Sequence, residues 1–209
     1  MDNFNKKIAE IYEKRFDNLG PVPQASLWFS KERQMTRFQI ITDQILSLKL
    51  GSSLQIGDIG CGYGEYFRYL LDNNPGLFER YYGYDIATNL INYCKNNCFS
   101  SKASYFVDQV PKLPLHINVM SGTFNLAPTS NLSLWKEHVC DLLKAIWKKT
   151  KVAMIFNLQV GPQSEIKKQG IVYFNLDEIT NFCKKFFGPT KVIKHQGLPN
   201  DATFLVKRI

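Results

Sequence analysis

Asp58-Ile59-Gly60-Cys61-Gly62-Tyr63-Gly64 is the stretch of this chain best equipped for chemistry. Glycines at alternate positions let the backbone turn tightly and let a ligand lie against it without Cβ clashes. The stretch ends the apolar run Leu54–Ile59 and precedes Glu65–Asp72, which reads as the start of a helix. A strand, a glycine turn and a helix N-terminus are the parts of a nucleotide cradle. The spacing is G-x-G-x-G, not the G-x-G-x-x-G of a dinucleotide site. Asp58 also stands beside the turn, where a carboxylate repels a pyrophosphate. It suits a ligand that carries an ammonium group and a sulfonium.

Two further segments repeat the form of an apolar strand ending in an acid. Arg80-Tyr81-Tyr82-Gly83-Tyr84-Asp85 ends in Asp85, about twenty residues past the glycines, where an acid can accept both hydroxyls of a ribose. Tyr105-Phe106-Val107-Asp108 ends in Asp108. Cys61 reads as a small residue that fits the turn.

On these residues the chain resembles the Rossmann-like, class I methyltransferases that use S-adenosylmethionine. The resemblance runs from about Leu19 to the C-terminus. It implies a cofactor site of Asp58, Gly60, Cys61, Gly62, Gly64, Asp85, Ile86, Asp108, Gln109, Ser121 and Gly122, with Asp108 or its neighbour on the adenine amino group. Leu19–Arg37 is similar to the N-terminal cover of a small bacterial subgroup, tailoring methyltransferases of small molecules and glycans. That likeness makes Arg37 the candidate to hold the methionine carboxylate, with Gln34 assisting one turn earlier. Trp28 reads as a packing residue. Ser121-Gly122-Thr123-Phe124-Asn125-Leu126 also belongs to the likeness. It is not the Asn/Asp-Pro-Pro-Tyr segment of amino-methylating enzymes, and no Pro-Cys pair offers a thiolate for cytosine chemistry. Asn118 replaces the aspartate that many relatives carry on the fourth strand, and no metal is expected.

The elements that must position these residues alternate. Phe4–Phe16 is amphipathic, Gly20-Pro21-Val22-Pro23 breaks it, and Ser30 can cap a second helix that Gly51 ends. Strands are expected at Leu54–Ile59, Tyr81–Tyr84, Ser104–Val107, Ile117–Met120 and Val152–Asn157, with late strands near Lys191–Lys194 and Thr203–Lys207. Helices are expected at Glu65–Asp72, Thr88–Asn97, Leu132–Lys149 and Leu176–Phe187, and Leu158–Phe174 as a long loop. The fold expected is α/β: one doubly wound, Rossmann-like sheet of about seven strands, mostly parallel, with helices on both faces and a reversed C-terminal edge strand. Residues 1–50 form a helical cover and 51–209 the cofactor-binding part of one domain.

At 209 residues, 44% hydrophobic and 21% charged, the chain can bury a sizeable core. No apolar run is long enough for a membrane span, and no signal-peptide core follows Met1–Lys7. Five cysteines without metal-like spacing read as reduced thiols, so a cytoplasmic setting is expected. The net charge of +8 is scattered in short pairs such as Lys148-Lys149 and Lys184-Lys185. That pattern fits solvated helix faces better than a nucleic-acid groove. The partner expected is therefore a small molecule or sugar unit, methylated on oxygen. A nucleic-acid methyltransferase and a non-catalytic module on the same scaffold stay open; the glycine spacing and Asp58 argue against a nicotinamide cofactor. A hydroxyl acceptor needs a base. His195 and Tyr12 are the candidates, His116 and His138 read as structural, with His138 in solvent, and Tyr173 and Asp177 as further acceptor contacts.

Overall fold

Strands that are apolar on both faces must be covered on both faces, and this dictates the architecture. The computed structural model describes residues 3–208. Two helices lead in, α1 (Asn3–Leu19) and α2 (Lys31–Ser47), around a break that holds a short 3-10 turn at Pro23–Ser26. Ser30 caps α2, its hydroxyl accepting from the Arg33 N–H. Alternation follows: β1 (Gln55–Ile59), α3 (Glu65–Asn73), β2 (Arg80–Asp85), α4 (Thr88–Asn97), β3 (Ala103–Val107), β4 (Leu115–Met120), α5 (Leu132–Lys148) and β5 (Thr150–Gly161). Then come β6 (Glu165–Ile166), β7 (Val172–Asn175), α6 (Leu176–Phe186), β8 (Thr190–His195) and β9 (Leu198–Lys207).

The main path of the sheet runs β3-β2-β1-β4-β5-β9-β8. From β3 to β5 all pairings are parallel. The order reverses between β1 and β4, which opens a crevice at their carboxyl ends. Helices α2, α3 and α4 cover one face, where Phe38, Ile41, Phe67, Leu70 and Ile91 meet Ile56, Ile117 and Ala153. Helices α5 and α6 cover the other, where Trp135, Val139, Ile146 and Ile179 meet Met154, Phe156 and Phe204.

Two refinements concern the C-terminal third. The reversed strand is β9, which lies one place in from the edge, antiparallel to both β5 and β8. The expected loop 158–174 is largely structured: β5 runs on to Gly161, and β7 pairs with it through Val160 and Phe174 while β6 pairs back on β7. Gly161, Pro162 and Gly170 signal turns, and strands this short carry too few residues for a period to show. Tertiary burial of Val172 and Phe174 decides their conformation.

Helix α1 lies across the carboxyl ends of the strands. Its first turn meets α5, Phe4 standing edge-on to Trp135 and His138. Its last turns meet the glycine turn and α4, with Phe16 against Tyr63 and Tyr93. Glu13 Oε1 accepts the Thr88 N–H (2.8 Å) and Asp17 accepts from the Asn89 amide (2.7 Å), so the start of α4 anchors α1. Among the described residues, no helix is long and apolar enough to cross a membrane.

Candidate functional site

Beneath α1, at the crevice of the sheet, lies a cavity of about 320 Å³. The glycine turn forms its floor. The glycines of the turn have different tasks. A Cβ on Gly60 would sit 2.7 Å from Thr123 Oγ1, and one on Gly64 would sit 2.8 Å from Cys98 Sγ. These two let the protein pack on itself. Gly62 has only Ser26 Oγ near, at 3.5 Å, so its bare backbone is the face left open to a ligand. Behind the turn, Cys94 Sγ donates to the Gly62 carbonyl and Cys98 Sγ to that of Tyr63. Burial pushes the Cys61 thiol up to about 11, which keeps it protonated and unsuited to act as a nucleophile.

The acids at the strand ends converge on this turn. Asp85 Oδ2 accepts the Gly62 N–H and Oδ1 the Ala87 N–H, both at 2.9 Å. The carboxylate thus braces the turn and still has lone pairs for a diol. Burial raises its pKa, against the backbone N–H groups that lower it. Asp58 is more enclosed. Burial pushes its pKa up to about 7, the Tyr81 hydroxyl bond at 2.5 Å pulls it down, and the Asp85 charge adds to the rise. A cation beside Asp58 would draw the proton off. Asp108 Oδ1 accepts the Gln109 N–H (2.8 Å).

Asp58, Gly60, Cys61, Gly62, Asp85, Ile86, Asp108, Gln109, Ser121, Gly122, Gln34, Arg37 and Tyr12 all line the cavity. Gly64 stands behind it, at the N-cap of α3. Gln34 exchanges hydrogen bonds with the Tyr63 hydroxyl at about 3.4 Å. Gln109 Oε1, Ser121 Oγ and Arg37 Nε are buried without a partner. Such orphaned groups on a cavity wall fit a polar ligand with donors and acceptors. Together with the open backbone at Gly62, they fit S-adenosylmethionine.

Segment 121–126 shows why its residue types matter. The Gly122 N–H donates to Asn157 Oδ1 (2.7 Å), Thr123 Oγ1 to the Ile59 carbonyl (2.7 Å), and Asn125 Oδ1 accepts the Gln159 N–H (3.1 Å). Phe124 is fully buried. The segment is stitched to β1 and β5 and lines the cavity along its length.

The histidines need correcting. His195 is exposed at the end of β8, where its Nδ1 accepts the Gly197 N–H, and it does not line the cavity. His116 Nδ1 accepts the Gln55 N–H at the opposite end of the strands. His138, expected in solvent, lines the cavity and stacks on Trp135, with ring centroids 5.2 Å apart. A helical wheel of α5 places it one turn after Trp135, on the same face, and that pairing was the available signal. Tyr173 lines the cavity from β7, while Asp177 sits in the first turn of α6 away from it. Burial pushes the Tyr12 hydroxyl far up, so it serves as a donor and not as a base.

Two residues missed from sequence complete the site. Asp201 takes both carboxylate oxygens to Arg37 Nη2, at 2.9 and 2.7 Å, and Asn157 Nδ2 donates to it at 3.0 Å. Asn157 is a polar residue within an apolar strand, the signal the acids of β1 and β2 carry. Asp201 follows a turn, and nothing local marks it. The Trp28 ring lies against the Arg37 guanidinium, 4.1 Å from its centroid, and also lines the cavity. Among the described residues, no cluster of three or more His, Cys, Asp or Glu could hold a metal ion.

Comparison with known proteins bears on the same elements. A methyltransferase domain family matches residues 57–151, from β1 to the start of β5. No curated protein matches the sequence. Among solved structures, magnesium protoporphyrin IX methyltransferase from Synechocystis with bound S-adenosylmethionine is 10% identical, with a TM-score of 0.63 over 84% of this chain and 80% of its own. The plantazolicin methyltransferase BpumL is 14% identical, at 0.63 over 98% of this chain and 96% of its own. The DhpI complex is 11% identical, at 0.65 over 100% and 99%. At these identities the likeness is one of fold.

Proposed function

Given that this chain is a class I S-adenosylmethionine-dependent methyltransferase, we propose that it methylates an oxygen of a small-molecule or sugar acceptor held beneath α1. The observation that supports this is the single cavity running from the glycine turn and Asp85 to Trp135, His138 and Tyr173. In this reading, Asp85 takes the ribose, Asp108 with Gln109 the adenine, and Asp58, Arg37 and Gln34 the amino-acid end. Residues 1–50 serve as the cover of the same domain as 51–209.

When bound, S-adenosylmethionine supplies a methyl carbon already activated by its sulfonium. The protein aligns the acceptor oxygen with that carbon, and orientation of this kind contributes about 7–11 kcal/mol. His138 is the group we assign to take the hydroxyl proton, because it lines the acceptor half. The walls there combine the apolar Ile8, Phe124, Leu126, Leu142 and Ile171 with the polar Asn5, Asn125 and Gln159, which suits a compact acceptor that carries hydroxyls. A duplex or folded RNA would have to displace α1.

The test supplies methyl-labelled S-adenosylmethionine with small hydroxylated compounds, sugars and a short RNA, and follows the label by mass spectrometry. Label in a small compound or sugar is the expected result. Label in RNA alone would overturn the acceptor assignment.

A further inference from the structure

A buried ion pair joins the cover to the far end of the chain. Arg37 on α2 and Asp201 on β9 are 5% and 7% exposed, and their contact spans 164 residues of sequence. Asp201 is also held by Asn157, whose Oδ1 takes the Gly122 N–H. A Cβ on Gly122 would lie 2.8 Å from Arg37 Nη1, so the guanidinium packs directly on the backbone that begins segment 121–126. The loop Arg37–Asp201–Asn157–Gly122–Arg37 is therefore closed. Arg37 Nε is left buried without a partner. Arg33 lines the same cavity and adds a second positive charge.

A simple pin between α2 and β9 would not need this arrangement. A pin satisfies its own donors, and an apolar pair would hold the two elements as well. Here Asp201 takes only Nη2 of the guanidinium and leaves Nε buried without a partner, on a residue that lines the cavity. We propose that Asp201 is a positioning residue that keeps Arg37 charged, buried and correctly turned for a ligand carboxylate. Through Asn157, the same carboxylate ties the occupancy of that site to the order of segment 121–126. The amino-acid end of the cofactor thereby sets the wall of the acceptor half. This inference rests on the cofactor reading above.

Two ligands isolate the effect. S-adenosylhomocysteine carries the amino-acid end, and 5′-methylthioadenosine has the same nucleoside without it. Calorimetric titration of the full chain with each is the test. Asp201→Asn is expected to raise the Kd for S-adenosylhomocysteine about tenfold, and to leave that for 5′-methylthioadenosine within about twofold. Hydrogen exchange adds a readout that a pin would not move. In the unaltered protein, S-adenosylhomocysteine but not 5′-methylthioadenosine slows exchange at 121–126, and Asp201→Asn abolishes that difference.

Equal weakening of both ligands, or of neither, would overturn the inference and leave Asp201 a pin. If Asp201→Asn does not fold, the double variant Arg37→Met, Asp201→Leu removes the pair without leaving a bare charge. Its preference for S-adenosylhomocysteine over 5′-methylthioadenosine should fall about tenfold; an unchanged preference overturns the inference. An unaltered protein that binds neither ligand would sink the cofactor reading itself, which distinguishes the two failures.

Discussion

The two halves of the cavity are built by different means. The glycine-turn half is built chiefly from backbone and from acids at successive strand ends between Asp58 and Asp108, with Gln34 and Arg37 of α2 beside them. The acceptor half is made of side chains from α1, α5, β7 and segment 121–126, which are far apart in sequence. One half uses polar groups whose spacing the sheet sets. The other uses aromatic surfaces that meet only when helices dock. The contrast teaches that the first half can be recognised locally, whereas the second can vary without disturbing it.

Substitutions can break or sharpen that contrast. Asp85→Ala should have the largest effect. It removes the diol contact proposed above and frees the Gly62 and Ala87 N–H groups, so binding of S-adenosylhomocysteine should weaken by about 3 kcal/mol, roughly 150-fold, by calorimetry. His138→Ala should lower the rate of methyl transfer about a hundredfold while cofactor affinity stays within about twofold. A matching loss of affinity would move His138 into the other half and dissolve the distinction. Arg37→Ala should weaken cofactor binding about tenfold, and it should also cost about 3–5 kcal/mol of stability in chemical denaturation, because Asp201 is left buried without its counter-charge, with Asn157 still donating to it.

Asp58 makes a pH test possible. Its folded pKa, about 7, lies above that of an ordinary carboxylate. Its protonated form therefore stabilises the ligand-free fold fully below the unfolded value near 4, and that contribution is lost as pH rises through about 7. Binding an ammonium requires the ionised form, so affinity runs the other way. S-adenosylhomocysteine should bind about tenfold more tightly at pH 8 than at pH 6, and titrations in buffers of different ionisation enthalpy should register a released proton at pH 7. Affinity that is flat across this range would remove Asp58 from the ammonium contact. Asp177→Ala should have the smallest effect, less than about twofold on cofactor binding or rate, since Asp177 lies outside the cavity lining.

The sequence by itself determined the alternation of strands and helices, the glycine turn, and the acids at the ends of β1, β2 and β3. These follow from local rules: apolar runs between turn residues, a helix cap at Ser30, and glycine where a side chain would clash. Segment 121–126 was visible as a motif, but its hydrogen bonds to Ile59 and Asn157 were not. Only the tertiary structure placed His138 on the cavity and His195 off it, because each sits in a regular element whose facing depends on what docks against it. Only the tertiary structure ordered β7, whose Val172 and Phe174 gain enough from burial to override the neighbouring turn signals, and β6, which pairs back on β7. Asp201 is the clearest instance. A lone acid in a late strand has no local partner, and it becomes intelligible when the sheet brings β9 beside β5 and α2 folds back over both.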